Sequence, residues 1–206
     1  MGKGIVFYFR PDKDGSGPCR HGGTPGLFAR NPWSIWSHEG RLMIRKCRDT
    51  DVTAVLEIIN DGASAYKGVI PHDCWHHPYM KMEELTSEIE AGVVFWGLEE
   101  GSVLQGFMGI QDKDDVALIR HSYVRTPRRN QGIGGRLLRF VESLTAKPIL
   151  IGTWSAASWA IAFYEKNGYR LLSHDEKNHL LGKYWTIPTR QRDTSVVLAH
   201  ARWQNL

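Results

Sequence analysis

The chain has 206 residues, 42% hydrophobic and 11% aromatic, which is enough for one sizeable core and too short for several ordinary domains. A formal charge of +4 suits a polyanionic ligand but, without concentrated Lys/Arg runs, does not point to nucleic acid. Cys19, Cys47 and Cys74 are odd in number, far apart and without a CxxC pair, which disfavours a disulfide framework or a thiolate zinc site and fits a reducing cytoplasm.

Residues 1–41 hold eight of the 21 glycines and four of the nine prolines and sustain no period beyond Phe9, so they read as a disordered or loosely packed extension. The apolar run from Ile5 to Phe9 is too short for a signal-peptide core or a membrane span, so neither export nor membrane contact is expected. The domain is expected over 42–200, with a tail at 201–206. It opens with a strand from Leu42 to Cys47, then a helix capped within Arg48 to Asp51 that carries Val52, Val55, Leu56 and Ile59 on one face. A polar and aromatic loop follows from Ser64 to Tyr79. Met82, Leu85 and Ile89 mark a second helix that ends at Gly92. Strands from Val93 to Leu98 and Val103 to Gln111 flank a hairpin break at Glu99 to Ser102.

The most informative stretch comes next. A β-type run from Val116 to Val124 ends in the turn Thr126-Pro127-Arg128-Arg129-Asn130-Gln131-Gly132-Ile133-Gly134-Gly135. Ile133, Leu137, Leu138, Val141 and Leu144 then fall on one helical face, directly after the glycines. Strand, glycine turn and helix in this order leave first-turn amides without intrahelical partners and aim them, with the helix dipole, at whatever lies in front. That is an anion site, best suited to a pyrophosphate. A dinucleotide fingerprint would need glycine where Leu137 stands, and a Walker loop would need Gly-Lys-Ser/Thr; neither is present. Further on, Pro148 to Trp154 reads as a buried strand, Ser155 to Asn167 as a helix closed by Gly168, Tyr169 to Ser173 as a strand, 174–183 as a short helix and Thr194 to Ala199 as the last strand. Antiparallel strands first and a strand-helix-strand crossover later give a mixed sheet with helices on both faces.

Arg129-x-x-Gly132-x-Gly134 resembles the (Arg/Gln)-x-x-Gly-x-(Gly/Ala) signature of the GNAT superfamily of acetyl-CoA-dependent N-acetyltransferases. Ala160-Ile161-Ala162-Phe163-Tyr164-Glu165-Lys166-Asn167-Gly168-Tyr169 is similar to that family's Ala-Ile-x-Leu/Phe-Tyr-x-x-x-Gly-Phe segment. Two motifs in the right order are far harder to meet by chance than one. Leu181 to Pro188 resembles a group of bacterial GNAT proteins more narrowly. The likeness covers Met43 to Ala199. It implies an α/β (α+β) fold with a mixed, mostly antiparallel sheet flanked by helices and a splay between the fourth and fifth predicted strands.

It also implies the reaction: acetyl transfer from acetyl-CoA, as co-substrate, to a primary amine of a small molecule or peptide by direct attack. The alternative is a non-catalytic GNAT-like domain that holds coenzyme A as a regulatory ligand. By the likeness, Val124, Arg125 and Thr126 face the pantetheine arm. Arg129, Asn130, Gln131, Gly132, Ile133, Gly134, Gly135 and Arg136 cradle the pyrophosphate, and Ala157 leaves room for the thiol end. Tyr164 is the candidate general acid, since a phenol of pKa about 10 is protonated at neutral pH and can reprotonate a departing thiolate. Many relatives carry a glutamate base on the strand before the turn; here Arg120 stands at that position, beside His121. His121 titrates in a useful range and is the candidate base. Successive strand residues face opposite sides, so only one of the two is expected to reach the site. Arg120 there would favour an acceptor with a carboxylate or phosphate. Relatives also often carry asparagine where Ala157 stands, so Ser155 or Ser158 must replace its hydrogen bond or it is absent. Tyr66, Trp75, Arg120 and Trp154 are the candidate acceptor-binding residues. His72, Asp73, Cys74, His76 and His77 cluster tightly but have no matching second ligand pair, so no metal is expected. A homodimer is compatible with the chain; nucleic acid is not expected as a partner.

Overall fold

The computed structural model describes residues 35–37 and 40–203. The rest of the predicted extension, Cys19 and the end of the tail lie outside the described residues. Among those described, the sheet has eight strands: β1 (Ile35–Ser37), β2 (Gly40–Lys46), β3 (Val93–Glu100), β4 (Val103–Asp112), β5 (Ala117–Val124), β6 (Ile149–Trp154), β7 (Tyr169–Leu171) and β8 (Ser195–His200). The helices are α1 (Val52–Ala63), α2 (Met82–Glu90), α3 (Ile133–Glu142), α4 (Ser158–Lys166), α5 (His174–Tyr184) and α6 (Thr189–Asp193). The spatial order is β1-β2-β3-β4-β5-β6-β8-β7, and only β5 and β6 run parallel. That one crossover carries α3, as an αβ connection between parallel neighbours must. The predicted fourth and fifth strands are β5 and β6, because β1 precedes the first strand read from the sequence.

Aromatic contacts fix which helices share a face. Phe95 meets Phe107 edge-on at 5.3 Å, Phe107 lies 6.1 Å from Tyr123, and Tyr123 packs on α1, where a Cβ on Gly62 would come 2.4 Å from its ring. Trp96, on the other side of β3, lies 4.9 Å from Phe140 of α3. Tyr169 joins α3 to α4, its hydroxyl donating to Glu142 at 2.9 Å and its ring 5.4 Å from Tyr164. So α3 and α4 cover one face. Leu118 pairs with Gln111, whose amide donates to the Ala91 carbonyl at the end of α2, and Leu118 packs with Leu180 and Leu181 of α5. Therefore α1, α2 and α5 cover the other face.

Helix α2 follows the predicted boundaries but not the predicted face. Met82 and Ile89 are each 36% exposed, whereas Leu85 and Glu88 are buried. A charge sits where the apolar period expected none. Helix α6 was not read from the sequence at all; it is one turn after Pro188, stopped by Thr194, whose hydroxyl donates back to the Arg190 carbonyl at 2.8 Å.

Strands β4 and β5 pair with an irregularity. Met108 faces Ser122 but Gly109 faces Arg120, so His121 is an extra residue, and it adopts φ of 48°. This is a β-bulge. Gly109 permits it: a Cβ there would lie 2.3 Å from the Arg120 carbonyl oxygen and 2.9 Å from the Phe95 ring. Gly109→Ala is therefore expected to cost about 1–3 kcal/mol by overpacking against backbone that cannot rotate away. Urea unfolding of the variant beside the parent checks it.

Candidate functional site

The bulge decides the surroundings of Arg120 and His121. Alternation along a regular strand predicts opposite faces; the inserted residue cancels one alternation and turns both side chains towards Glu88 of α2, so the expectation that only one could reach a common site is corrected. Arg120 Nη2 donates to Glu88 Oε1 at 2.7 Å and Oε2 at 2.6 Å, and Nη1 donates to Gln111 Oε1 at 3.0 Å. His121 Nε2 lies 3.6 Å from Glu88 Oε2, too long for a good hydrogen bond but close for a charge contact. All three side chains are buried. Burial disfavours charge on Glu88, yet the facing His121 and Arg120 outweigh it and hold the carboxyl below its usual range, Arg120 through two short bonds. Burial likewise holds His121 below the usual histidine range, against the pull of Glu88, so the imidazole is neutral at pH 7.

The same point is where the sheet opens. β5 and β6 pair only at Ala117–Ile149, Leu118–Leu150 and Ile119–Ile151. Beyond Ile119, β5 continues on β4 and β6 continues on β8, leaving a gap that starts beside Arg120 and His121. The Arg125 amide donates to the Gln105 carbonyl at 2.9 Å while Gly106 and Val124 are register partners, so the Val124 N–H and C=O point the other way, to the side β6 has left. Tyr123 on β5 and Thr153 on β6 are buried, and their hydroxyls find no hydrogen-bond partner among the described residues. Buried polar groups in that state ordinarily have a ligand or solvent to meet. Such a gap, edged by free main-chain groups, fits an extended amide-bearing arm.

At the end of β5 a one-turn 3-10 segment, Thr126–Arg128, leads into the glycine turn. Asp61 of α1 holds it, accepting from the Thr126 amide at 2.9 Å and hydroxyl at 2.8 Å. Arg125 Nε donates to the Leu104 carbonyl at 2.8 Å, and Arg128 pairs with Glu100 at 2.5 Å. Those two side chains are committed to the protein, so at 125 and 128 the turn offers a ligand its backbone rather than a free guanidinium. Asn130 and Gly132 have φ of 62° and 75°, left-handed values that reverse the chain before α3. The helical ladder opens with the Arg136 amide on the Gly132 carbonyl at 3.1 Å, so the amides of Ile133, Gly134 and Gly135 stand ahead of the first rung. The helix dipole adds to them. Gln131 and Gly132 are exposed and Gly135 and Arg136 half-buried, which leaves the turn open to a ligand.

Ala157 precedes α4 rather than lying in it; its carbonyl accepts from Ala160 at 2.9 Å and Ile161 at 3.2 Å. Ala157, Ala160 and Tyr164 are all fully buried on the side of α4 that meets the sheet. Burial, with Tyr169 and Glu142 nearby, pushes the Tyr164 phenol well above its usual value, so it is protonated at any physiological pH. Ser155 does not stand in for the missing asparagine: its hydroxyl donates to the Thr194 carbonyl at 2.9 Å.

The acceptor-side candidates meet through a residue the sequence did not single out. Tyr79 lies 5.9 Å from Tyr66 and 5.6 Å from Trp75, and its hydroxyl accepts from Trp154 Nε1 at 3.1 Å. Tyr66, Trp75 and Trp154 thus form one aromatic cluster; Arg120 is elsewhere, held by Glu88. A cleft of about 350 Å³ between α2 and the end of α5 reaches Arg120, with Glu84, Glu88, Gln111, Tyr184 and Thr186 among its walls. Around the loop histidines, Asp73 is tied to Arg190 at 3.1 Å and His76 stacks on Tyr79 at 6.0 Å. Among the described residues no three His, Cys, Asp or Glu side chains gather as a metal site would require. Glu88 was missed because a glutamate three residues after Leu85 reads as an ordinary surface charge; only its spacing from Leu85, on one helical face, could have flagged it.

A family profile described as an acetyltransferase (GNAT) domain matches residues 91–171, from the end of α2 through β7. No curated protein matches the sequence. Among solved structures, the PaiA N-acetyltransferase of Thermoplasma acidophilum, crystallised with coenzyme A, superposes with a TM-score of 0.59 at 19% identity, covering 77% of this chain and 98% of its own. A GNAT-family acetyltransferase of Staphylococcus aureus Mu50 gives 0.56 at 19% identity over 77% of this chain and 98% of its own. The ribosomal-protein-S18-alanine N-acetyltransferase of Escherichia coli gives 0.55 at 17% identity over 80% of this chain and 98% of its own. At such identities the likeness is one of fold.

Proposed function

We propose, from the match of a GNAT acetyltransferase profile over 91–171, that this chain is a cytoplasmic N-acetyltransferase that moves an acetyl group from acetyl-CoA to a primary amine of a small molecule or peptide. The observation that carries the reading is the coincidence of two features: the β5–β6 gap opens at Ile119, and the unpaired first-turn amides of α3 stand at its outer end. A diphosphate would sit on the amides of 133–135, and the main chain of Val124 would pair with the amide-bearing arm. Acetyl-CoA supplies an activated thioester when bound. The residues of the chain bind it, exclude water and manage two protons. Tyr164 returns a proton to the departing thiolate, and His121, neutral in its buried setting, takes one from the amine. An amine of pKa about 10.4 is neutral to only about one part in 2500 at pH 7, so that second transfer is needed. With Arg120 bound by Glu88 and Glu84 accepting from the Lys81 amide at 3.0 Å, Glu83 is the carboxylate of the cleft left to meet a ligand beside Lys113, which suits a cationic acceptor better than an anionic one.

The rival reading is a regulatory module that binds coenzyme A without turnover; Ala157 in place of asparagine, with Ser155 already bonded, favours it. Thiol release over a panel of amines, with calorimetric titration of acetyl-CoA, separates the two: heat with release supports the enzyme, heat without release the module, and no heat neither. A sharper check uses Gly132. A Cβ there meets nothing within 4 Å, and aspartate tolerates the left-handed backbone better than most residues. Gly132→Asp is thus expected to fold normally, yet to weaken coenzyme A binding about tenfold or more by setting a carboxylate against the diphosphate.

A further inference from the structure

We infer that Glu88, reaching in from α2, is the positioning residue that holds His121 as the proton acceptor, replacing from a helix the carboxylate that β5 lacks. The inference rests on the acetyltransferase reading. Three observations support it. Glu88 is 6% exposed on a helix whose glutamates Glu83 and Glu90 face solvent, so its side chain is turned inward against the ordinary preference of a carboxylate. The bulge at His121, with Gly109 kept free of a side chain, aims two consecutive β5 residues at it. And the contact lies two residues past Ile119, the last β5 residue paired with β6, where the gap begins.

The charged groups that face His121 are Glu88 from α2 and Arg120 from β5; β3 contributes only the Phe95 ring, 6.2 Å away. In this arrangement Nε2, the nitrogen nearest the carboxylate at 3.6 Å, is assigned the hydrogen and closes on Glu88 when the ring becomes charged, and Nδ1 is left to accept. As the amine nitrogen bonds to the thioester carbon, its proton passes to Nδ1. The carbon-sulfur bond then breaks, and the sulfur takes the Tyr164 proton. Glu88 stabilises the imidazolium while Arg120 keeps the resting carboxylate charged and fixed. The charge needed to support the base is thereby present before substrate arrives.

The test uses the full chain and the double variant Glu88→Leu/Arg120→Met, which removes both charges together and leaves neither ion buried alone. Nitrogen-15 imidazole NMR reads the His121 tautomer, and thiol release with an amine substrate reads turnover. The expected result is hydrogen on Nε2 in the parent and a mixed tautomer in the variant. The kcat should fall about tenfold or more while KM for acetyl-CoA is unchanged. Hydrogen on Nδ1 in the parent, or undiminished kcat in the variant, would overturn the role of Glu88. Failure of the acetyltransferase reading is distinct: the parent would bind acetyl-CoA and release no thiol with any amine, whatever the tautomer.

Discussion

Tyr164→Phe is expected to lower the kcat of acetyl transfer by about 10²- to 10⁴-fold, the range of a lost general acid, with affinity for acetyl-CoA unchanged. The separation of the two effects follows from the packing. Tyr164 is fully buried and its ring meets Phe163 at 5.0 Å and Tyr169 at 5.4 Å, contacts that phenylalanine keeps in full. Only the hydroxyl goes, so no cavity of consequence forms and α4 retains its place behind β6. The cofactor's main anchor lies at the start of α3, on a different element, which is why binding should survive. Pre-steady-state measurement of thiol release, beside calorimetric binding, checks both halves. A fall smaller than about tenfold would remove the phenol from the reaction.

Glu88→Leu alone is expected to destabilise the fold by about 3–5 kcal/mol, because it leaves the Arg120 guanidinium buried without its counter-charge. Arg120 is 7% exposed and its remaining side-chain partner is Gln111, whose neutral oxygen compensates little. Adding Arg120→Met should recover most of that loss, since two apolar side chains of similar volume need no pairing. Urea unfolding of the parent, both single variants and the double variant gives the four values, and additive single effects would contradict the pairing. Acid should act in the same sense. The Glu88 carboxyl is held below the usual carboxylate range in the folded chain, so its contribution is complete above about pH 4.3 and drains as pH falls through the folded value. His121 adds to the loss at low pH, because its folded value lies below the ordinary one and the unfolded chain binds the extra proton first.

These two residues also mark how far local pattern carries. Tyr164 stands out in the sequence because small residues at offsets of seven and four before it leave one helical face for a ligand, and the structure buries all three together. Strand β6 is legible as a continuous apolar run because it is covered on both faces. Glu88 is not legible, since a helical period records which side of a helix is apolar and cannot say that a cation waits beneath one position.

By itself, the sequence determined the succession of strands and helices from β2 to β8 apart from α6, the glycine turn before α3 and the buried face of α4, all of which depend on near neighbours and short periods. Only the tertiary structure decided that His121 is the extra residue of a bulge, that Arg120 is spent on Glu88, and that Tyr79 joins Tyr66, Trp75 and Trp154. Each of those facts is a pairing between segments far apart in the chain, where register and burial, rather than the preferences of single residues, select the partner.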